Sequence, residues 1–404
     1  MNKKQKIYLF IMQAIVVATL FLSVAVFFLA SRQGNDGVTL QIFGEGDDGA
    51  FYWAQALNVK NGLPWIRTSI YPLIIGNILK FFDSNNVYLI RLFNSIGFFL
   101  LIIASIKLVK LQYKDEGIHF QDTYYTDSKI MLLLMLMFYL SLQMNIHISI
   151  LRDIWLYYLY VQNLVIGVNI LLKKRANIYY ILFWIFSLWL MGQFRAYILV
   201  SYIASIVVYY LYQAVSKRRR IRALIIMLVF LLGLYYTFLM DFNMPIVNKS
   251  MREALTYRLS FLTEITGGSQ MGINLIQPNY LLFLVNYVMS LIGNFIGPLP
   301  WQVNSVGTLA VFFVETIPML FILYYIYKHL SKLTNTQIFI ISHAIVWIGL
   351  TAVSNDNIGT ATRLRPITWI LLLIIFVVIY YKSKFVKKMT ITKGEHIHEN
   401  SIQA

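Results

Sequence analysis

Two adjacent carboxylates, Asp47 and Asp48, lie in the stretch GDDGAFYW (46–53), in a chain where only 13% of residues are charged. Neighbouring acids repel each other's charge, which suits one of them to accept a proton as a general base. The same pair also offers hard oxygen ligands to a divalent cation, Mg or Mn. Four arginines complement them: Arg152, Arg195, Arg363 and Arg365. Their planar guanidinium forks match phosphate oxygens bidentately, so this set points to an anionic, phosphate-bearing substrate. Asp153 follows Arg152 directly and is placed to orient it; Glu315 and His147 complete the set of exceptional ionisable residues.

Each of these residues also has a structural reading. Asp47-Asp48 fits the acidic first turn of a helix, and Arg152-Asp153 fits a local ion pair. Arg195 fits a cation reaching from a span end towards water, as does Arg91 near the start of another apolar run. Glu315, within an apolar run, calls for an intramembrane partner.

The elements that hold these residues are apolar. The 404 residues are 59% hydrophobic and 16% aromatic, with a mean hydropathy of +0.66. An all-α polytopic membrane protein follows, with about ten transmembrane helices plus interfacial or re-entrant helices in the outer loops. The spans fall near 7–30, 87–109, 130–142, 154–172, 178–192, 196–215, 223–240, 306–327, 338–353 and 367–381. Residues 70–82 are too short to cross and suit the interface. Residues 280–296 end in Gly297-Pro298-Leu299-Pro300, a break suited to a re-entrant or interfacial segment. One transmembrane domain, 1–388, thus carries a first outer loop (31–86) and a large outer loop (241–305), and a polar cytoplasmic tail, 389–404, follows it.

The net charge of +17 is distributed in short loops on one side of these spans. That is the positive-inside pattern of a plasma (inner) membrane protein with both termini cytoplasmic, not a nucleic-acid-binding surface. With this orientation Asp47, Asp48, His147, Arg152, Asp153, Arg195, Arg363 and Arg365 all fall at outer span ends or in outer loops. Glu315 lies two to three turns below the outer surface. There is no cysteine, which excludes thiolate nucleophiles, disulfides and thiolate metal sites. No P-loop, zinc-protease or dinucleotide-binding pattern is present.

The run GDDGAFYWAQALNVKNGLPW, followed by YPLIIGNILKFF and RLFNSIGFFLL, resembles the opening of the GT-C glycosyltransferases. NIGTATRLRP (357–366) resembles the basic motif before a late span in bacterial relatives, and GPLPWQ (297–302) is similar to bacterial surface-polysaccharide membrane proteins. The resemblance covers roughly 7–110 and 290–380; the residues between match by topology only. It implies transfer of a saccharide from a polyprenyl-phosphate or polyprenyl-diphosphate carrier to a saccharide acceptor, with Asp47 or Asp48 as base or metal ligand. It leaves open a repeat-unit polymerase of capsule or O-antigen type. A lipid-linked saccharide flippase is the reading without chemistry. Membrane lipids are the remaining partners expected, and no nucleic acid is.

Overall fold

The computed structural model describes the chain except residues 1, 42–47, 115–121, 175–176, 216–219, 245–247, 264–269, 304 and 403–404. Asp47 lies outside the described residues. The helices are α1 (Lys3–Arg32), α2 (Asp48–Lys60), α3 (Tyr71–Phe81), α4 (Tyr88–Lys114), α5 (Asp122–Phe138), α6 (Leu140–His147), α7 (Asp153–Gly167), α8 (Ile178–Phe194) and α9 (Ala196–Ala214). They continue as α10 (Arg220–Phe238), α11 (Met251–Thr263), α12 (Tyr280–Ile296), α13 (Val306–Val311), α14 (Ile317–Lys328), α15 (Asn335–Ser354), α16 (Ile358–Leu364) and α17 (Pro366–Ile402). π-helical turns extend α7 through Leu172 and join α13 to α14. No strand occurs among the described residues.

Among the described residues seven helices are long and apolar enough to cross a membrane, or eight if the bent pair α5–α6 is one span. The expected spans at 178–192 and 223–240 are shorter apolar helices; α8, with 17 residues, is about 25 Å long, against a hydrocarbon layer of about 30 Å. Helix α17 continues through most of the expected tail 389–404, to Ile402.

The bend between α5 and α6, 62° at Tyr139, has a visible cause. The Ser141 N–H donates to the Glu315 carboxylate instead of an α5 carbonyl, and the Ser141 hydroxyl donates to the same carboxylate at 2.8 Å. The Gln143 amide donates to the freed Leu136 carbonyl at 2.9 Å. A broken helix is tolerable at membrane depth when protein satisfies its backbone in this way.

Side-chain pairs define two ends of the bundle. At one end Lys4 meets Asp127 at 2.5 Å and Lys129 sits over the Tyr8 ring. Lys173 donates to the Leu111 carbonyl, Gln213 to Asn335, and Tyr325 pairs with Ser383. This basic end therefore gathers the start of α1, the end of α4, the start of α5, the end of α7, the end of α9 and residue 383 of α17. The opposite end carries the starts of α4, α7, α9 and α17.

Helices α4, α7, α15 and α17 supply most of the buried apolar core, and nearly every residue of α17 from Ile367 to Ile379 is buried. Large apolar side chains such as Phe10, Phe21, Phe186, Phe230 and Phe321 face outward around the bundle, the surface a bilayer covers. Helix α12 meets α10 through Tyr280, which donates to the Val229 carbonyl, and α17 through Trp369, which donates to the Phe295 carbonyl. Between them its contacts with α15 advance in step, Tyr287 with Gly349, Ser290 with Ala352 and Asn294 with Asn355, so α12 runs alongside the end of α15.

Arg91 does not reach to water. It is 2% exposed, and its guanidinium donates to the carbonyls of Gly37, Val38 and His147. It ties the chain leaving α1 and the end of α6 to the start of α4, satisfying carbonyls that no helix serves.

Candidate functional site

Arg363 lies in the last turn of α16. Its Nη2 donates to Asp48 at 2.8 Å and to Asp153 at 3.0 Å. Both carboxylates sit at helix starts, Asp48 opening α2 and Asp153 opening α7, where the helix dipole favours an anion. Arg195, between α8 and α9, approaches the other Asp153 oxygen at 3.7 Å and donates to the Tyr197 hydroxyl at 2.6 Å. Arg152 donates to the Phe194 carbonyl at 3.1 Å and stands over the Tyr52 ring, 5.3 Å from its centre. Five residues from four separate parts of the sequence thus form one site.

Burial distinguishes their roles. The Asp153 side chain is 1% exposed and that of Asp48 is 48% exposed. Asp153 is an internal counter-ion, and Asp48 is half exposed. Burial works against the charge on Arg363, but Asp153 and Asp48 outweigh it and hold the guanidinium above its ordinary pKa. Arg152 moves the other way, lowered by burial and by repulsion from Arg195. Burial also pushes the Tyr52 hydroxyl up to about 12. Among the described residues three guanidiniums face two carboxylates here, and Arg152, Arg195 and Arg363 each keep a buried Nε–H with no acceptor. Arg365, in its own buried network, keeps an orphaned Nε–H as well; what suits this cluster to an anion is its surplus of positive charge beside the half-exposed Asp48.

The backbone that carries Arg363 is locked. Asn145 donates to the Thr362 carbonyl at 3.1 Å, Tyr157 to that of Arg363 at 2.5 Å, and Trp347 to that of Leu364 at 2.7 Å. Asn357 caps the start of α16 by accepting from the Thr360 N–H at 3.0 Å. Asp48 is placed by the α2–α3 hairpin, in which Gly76 lets the helices touch. A Cβ there would stand 2.6 Å from Val59 Cβ and 2.7 Å from the Ala56 carbonyl oxygen.

The remaining sequence candidates lie elsewhere. Arg365, two residues beyond Arg363, is 1% exposed and pairs with Glu315, the Ser141 hydroxyl at 3.2 Å and the Gly297 carbonyl. It is buried in a network of its own, apart from the pairs that join Asp48, Asp153 and Arg363. His147 lies beneath the site against Ser23, its Nδ1 3.2 Å from the Ser23 hydroxyl.

Other residues touch the site or its support without standing out in the sequence: Tyr52, Asn145, Tyr157 and Tyr197, and the pair Arg258–Asp356 just before α16. The signal for the last was the polar triplet Asn355-Asp356-Asn357 between two apolar runs. Arg258 and Asp356 are both buried and meet at 2.5 Å, tying α11 to the end of α15.

The described residues do not fit a divalent cation. Asp48 and Asp153 are both bonded to Arg363, two further guanidiniums stand beside them, and no group of three or more His, Asp or Glu is gathered among the described residues. Asp47, the other expected ligand, lies outside those residues. No family model matches this chain, and no curated protein or solved structure matches it.

Proposed function

We propose that the chain is a membrane glycosyltransferase that uses a polyprenyl-phosphate-linked saccharide at the outer membrane face, in cell-surface polysaccharide biosynthesis. The observation that carries this reading is the convergence of Asp48, Asp153, Arg152, Arg195 and Arg363 at one end of an apolar bundle, with a surplus of positive charge among the described residues. A phosphate group on an apolar chain matches both halves of that arrangement.

The orientation follows from charge. The lysine-rich end, with Lys4, Lys129 and Lys173, is cytoplasmic by the positive-inside rule, so the arginine site faces out. Ten spans result when the bent pair α5–α6, α8 and α10 join the seven long helices and α12 does not cross. Helix α8 supports this count, since it starts just past Lys173 at the basic end and finishes at Phe194 beside Arg152.

In the proposed reaction the acceptor hydroxyl oxygen bonds to the anomeric carbon of the donor sugar. The bond from that carbon to the phosphate oxygen breaks, and its electron pair leaves with the lipid phosphate. The acceptor proton passes to Asp48. The charge that develops on the phosphate is met by Arg152, Arg195 and Arg363. Donors already fixed where charge appears stabilise a transition state without reorganising, and the clamped carbonyls of residues 362–364 supply that fixity. Arg365 and Glu315 hold the frame.

Three guanidiniums would also suit a diphosphate leaving group, which favours a repeat-unit polymerase as the second reading. Product length separates the two: a ladder of repeats marks the polymerase, a single addition the transferase. The test of the reading itself is Asp48→Asn. It should abolish the surface glycan while the protein still inserts; undiminished glycan removes the proposal.

A further inference from the structure

The chain just before α16 is held from several sides. Asp356 is 5% exposed, and its carboxylate accepts from the Gly272 and Ile273 N–H groups at 3.0 and 3.1 Å. Its carbonyl accepts from the Met271 N–H at 2.7 Å. Arg258 closes the arrangement: Nη2 donates to Asp356, and Nη2 and Nε donate to the Ile273 carbonyl at 3.1 and 3.2 Å. Its Nη1 donates to the Ser290 hydroxyl at 3.0 Å and to the carbonyls of Ala352 and Asn355, both at 2.7 Å. Asn355 is fastened in turn, donating to Asn294 at 2.7 Å and to the Asn357 carbonyl at 2.8 Å. Met251, Leu255 and Arg258 recur at helical spacing, and all three are buried on one face of α11.

Every nitrogen of the Arg258 guanidinium thus has an acceptor. A buried ion pair loses so much hydration that apolar residues of similar volume often serve stability as well or better. What this pair supplies is position. It brings α11, residues 271–273, α12 and the end of α15 to one point, and the next residue along, Asn357, caps α16.

Helix α16 has seven residues and carries Arg363 in its last turn. From Asp356 to Arg363 is about 10 Å along a helix axis. So short a helix moves as one piece, and a shift at its start reaches the Arg363 side chain. The bonds from Asn145, Tyr157 and Trp347 hold the far end of α16; the Arg258–Asp356 pair holds the near end.

We propose that Arg258 and Asp356 are positioning residues for Arg363. Their ion pair seats the start of α16 so that the guanidinium at its end reaches both Asp48 and Asp153. Through this seat α11 and residues 271–273 are coupled to the anion site. The functional consequence rests on the phosphate-site reading above: a misplacement of about 1 Å can cost on the order of a hundredfold in rate.

The test uses the full-length protein with Arg258→Met and Asp356→Leu combined, so that neither buried charge is left unpaired. Thermal unfolding in detergent is followed for this double variant, for Arg363→Met and for all three changes together. Independent sites give additive shifts. Positioning predicts that Arg363→Met lowers the melting temperature less than about half as much in the double variant as in wild type, because Arg363 has already lost its place. In nanodiscs the double variant should also lose about tenfold of the wild-type preference for polyprenyl phosphate over polyprenol, even where its melting temperature matches wild type. Arg258→Lys keeps the charge but not the planar fork, and it should show the same loss in milder form if the double variant fails to insert. Additive melting shifts, or a double variant with the full phosphate preference, overturn the positioning role and leave the phosphate site standing. A wild type without that preference overturns the phosphate reading instead, and the melting shifts alone then decide the positioning role.

Discussion

Asp153 opens α7 and Arg363 lies in the last turn of α16; 210 positions apart in sequence, their side chains meet at 3.0 Å with the carboxylate almost fully buried. Through this pair the N-terminal half of the bundle holds the guanidinium that also reaches Asp48. The pair is shared, because Arg195 draws on the same carboxylate at 3.7 Å.

The two aspartates should therefore respond differently to the same change. Asp153→Asn leaves two buried guanidiniums without their common counter-ion, and breaking a buried pair costs about 3–5 kcal/mol. Asp48 is half exposed, and exposed ion pairs contribute about 1 kcal/mol or less. Thermal unfolding in detergent should show Asp153→Asn clearly destabilised and Asp48→Asn close to wild type, with surface glycan lost in both. Equal melting temperatures for the two variants would contradict the assignment of Asp153 as the internal counter-ion.

Arg363→Lys should fail although it keeps the charge. An ammonium is a compact point charge on a flexible stem and does not reproduce a planar fork held between two carboxylates. Surface glycan should fall by about tenfold or more, since a bidentate site treats this exchange as a real loss. Wild-type glycan in a normally inserted Arg363→Lys protein would show that charge alone suffices.

Arg365 and Glu315 should behave as a structural unit. Either Arg365→Met or Glu315→Gln alone leaves a buried group unpaired and costs about 3–5 kcal/mol, whereas the double variant Arg365→Met with Glu315→Leu should recover much of that loss. The readout is thermal stability of the purified protein. Glycan synthesis should follow stability in this series. A stable single variant with no glycan would return Arg365 to the phosphate set.

The bundle was readable in the sequence because hydropathy reports burial in lipid whatever the tertiary contacts. The site was readable in part for a related reason: a charge at a span end in so apolar a chain is rarely idle, and Asp48, Arg152, Asp153, Arg195 and Arg363 are all such charges. Arg365 shows the limit. Two helical steps turn a side chain by roughly 200°, so it points into the core while Arg363 points to the site, and neither residue type records which way the helix faces. Arg91, expected to reach water, and Arg258, not singled out, escaped the reading for another reason. Their partners are mostly backbone carbonyls left unpaired by chain breaks, and a carbonyl carries no sequence signature. The bend at Tyr139 was hidden likewise, since its compensation comes from Glu315, far along the chain.

The orientation can be read with single cysteines, because the chain has none of its own. Leu63→Cys lies in the exposed α2–α3 connection at the arginine end, and Lys174→Cys is exposed at the basic end. A membrane-impermeant maleimide applied to intact cells should label the first, and the second only after permeabilisation. The reverse pattern would turn the site to the cytoplasm and end the proposed chemistry.

The central claim is that the arginine site holds a lipid phosphate. Its most direct measurement compares retention of polyprenyl phosphate and of polyprenol, the same chain without the phosphate, by the purified protein in nanodiscs. Wild type should favour the phosphate by at least about tenfold, the value of one charge-assisted hydrogen bond, and Arg195→Ala should lose that preference. Equal retention of polyprenol and polyprenyl phosphate by the wild-type protein would contradict the account.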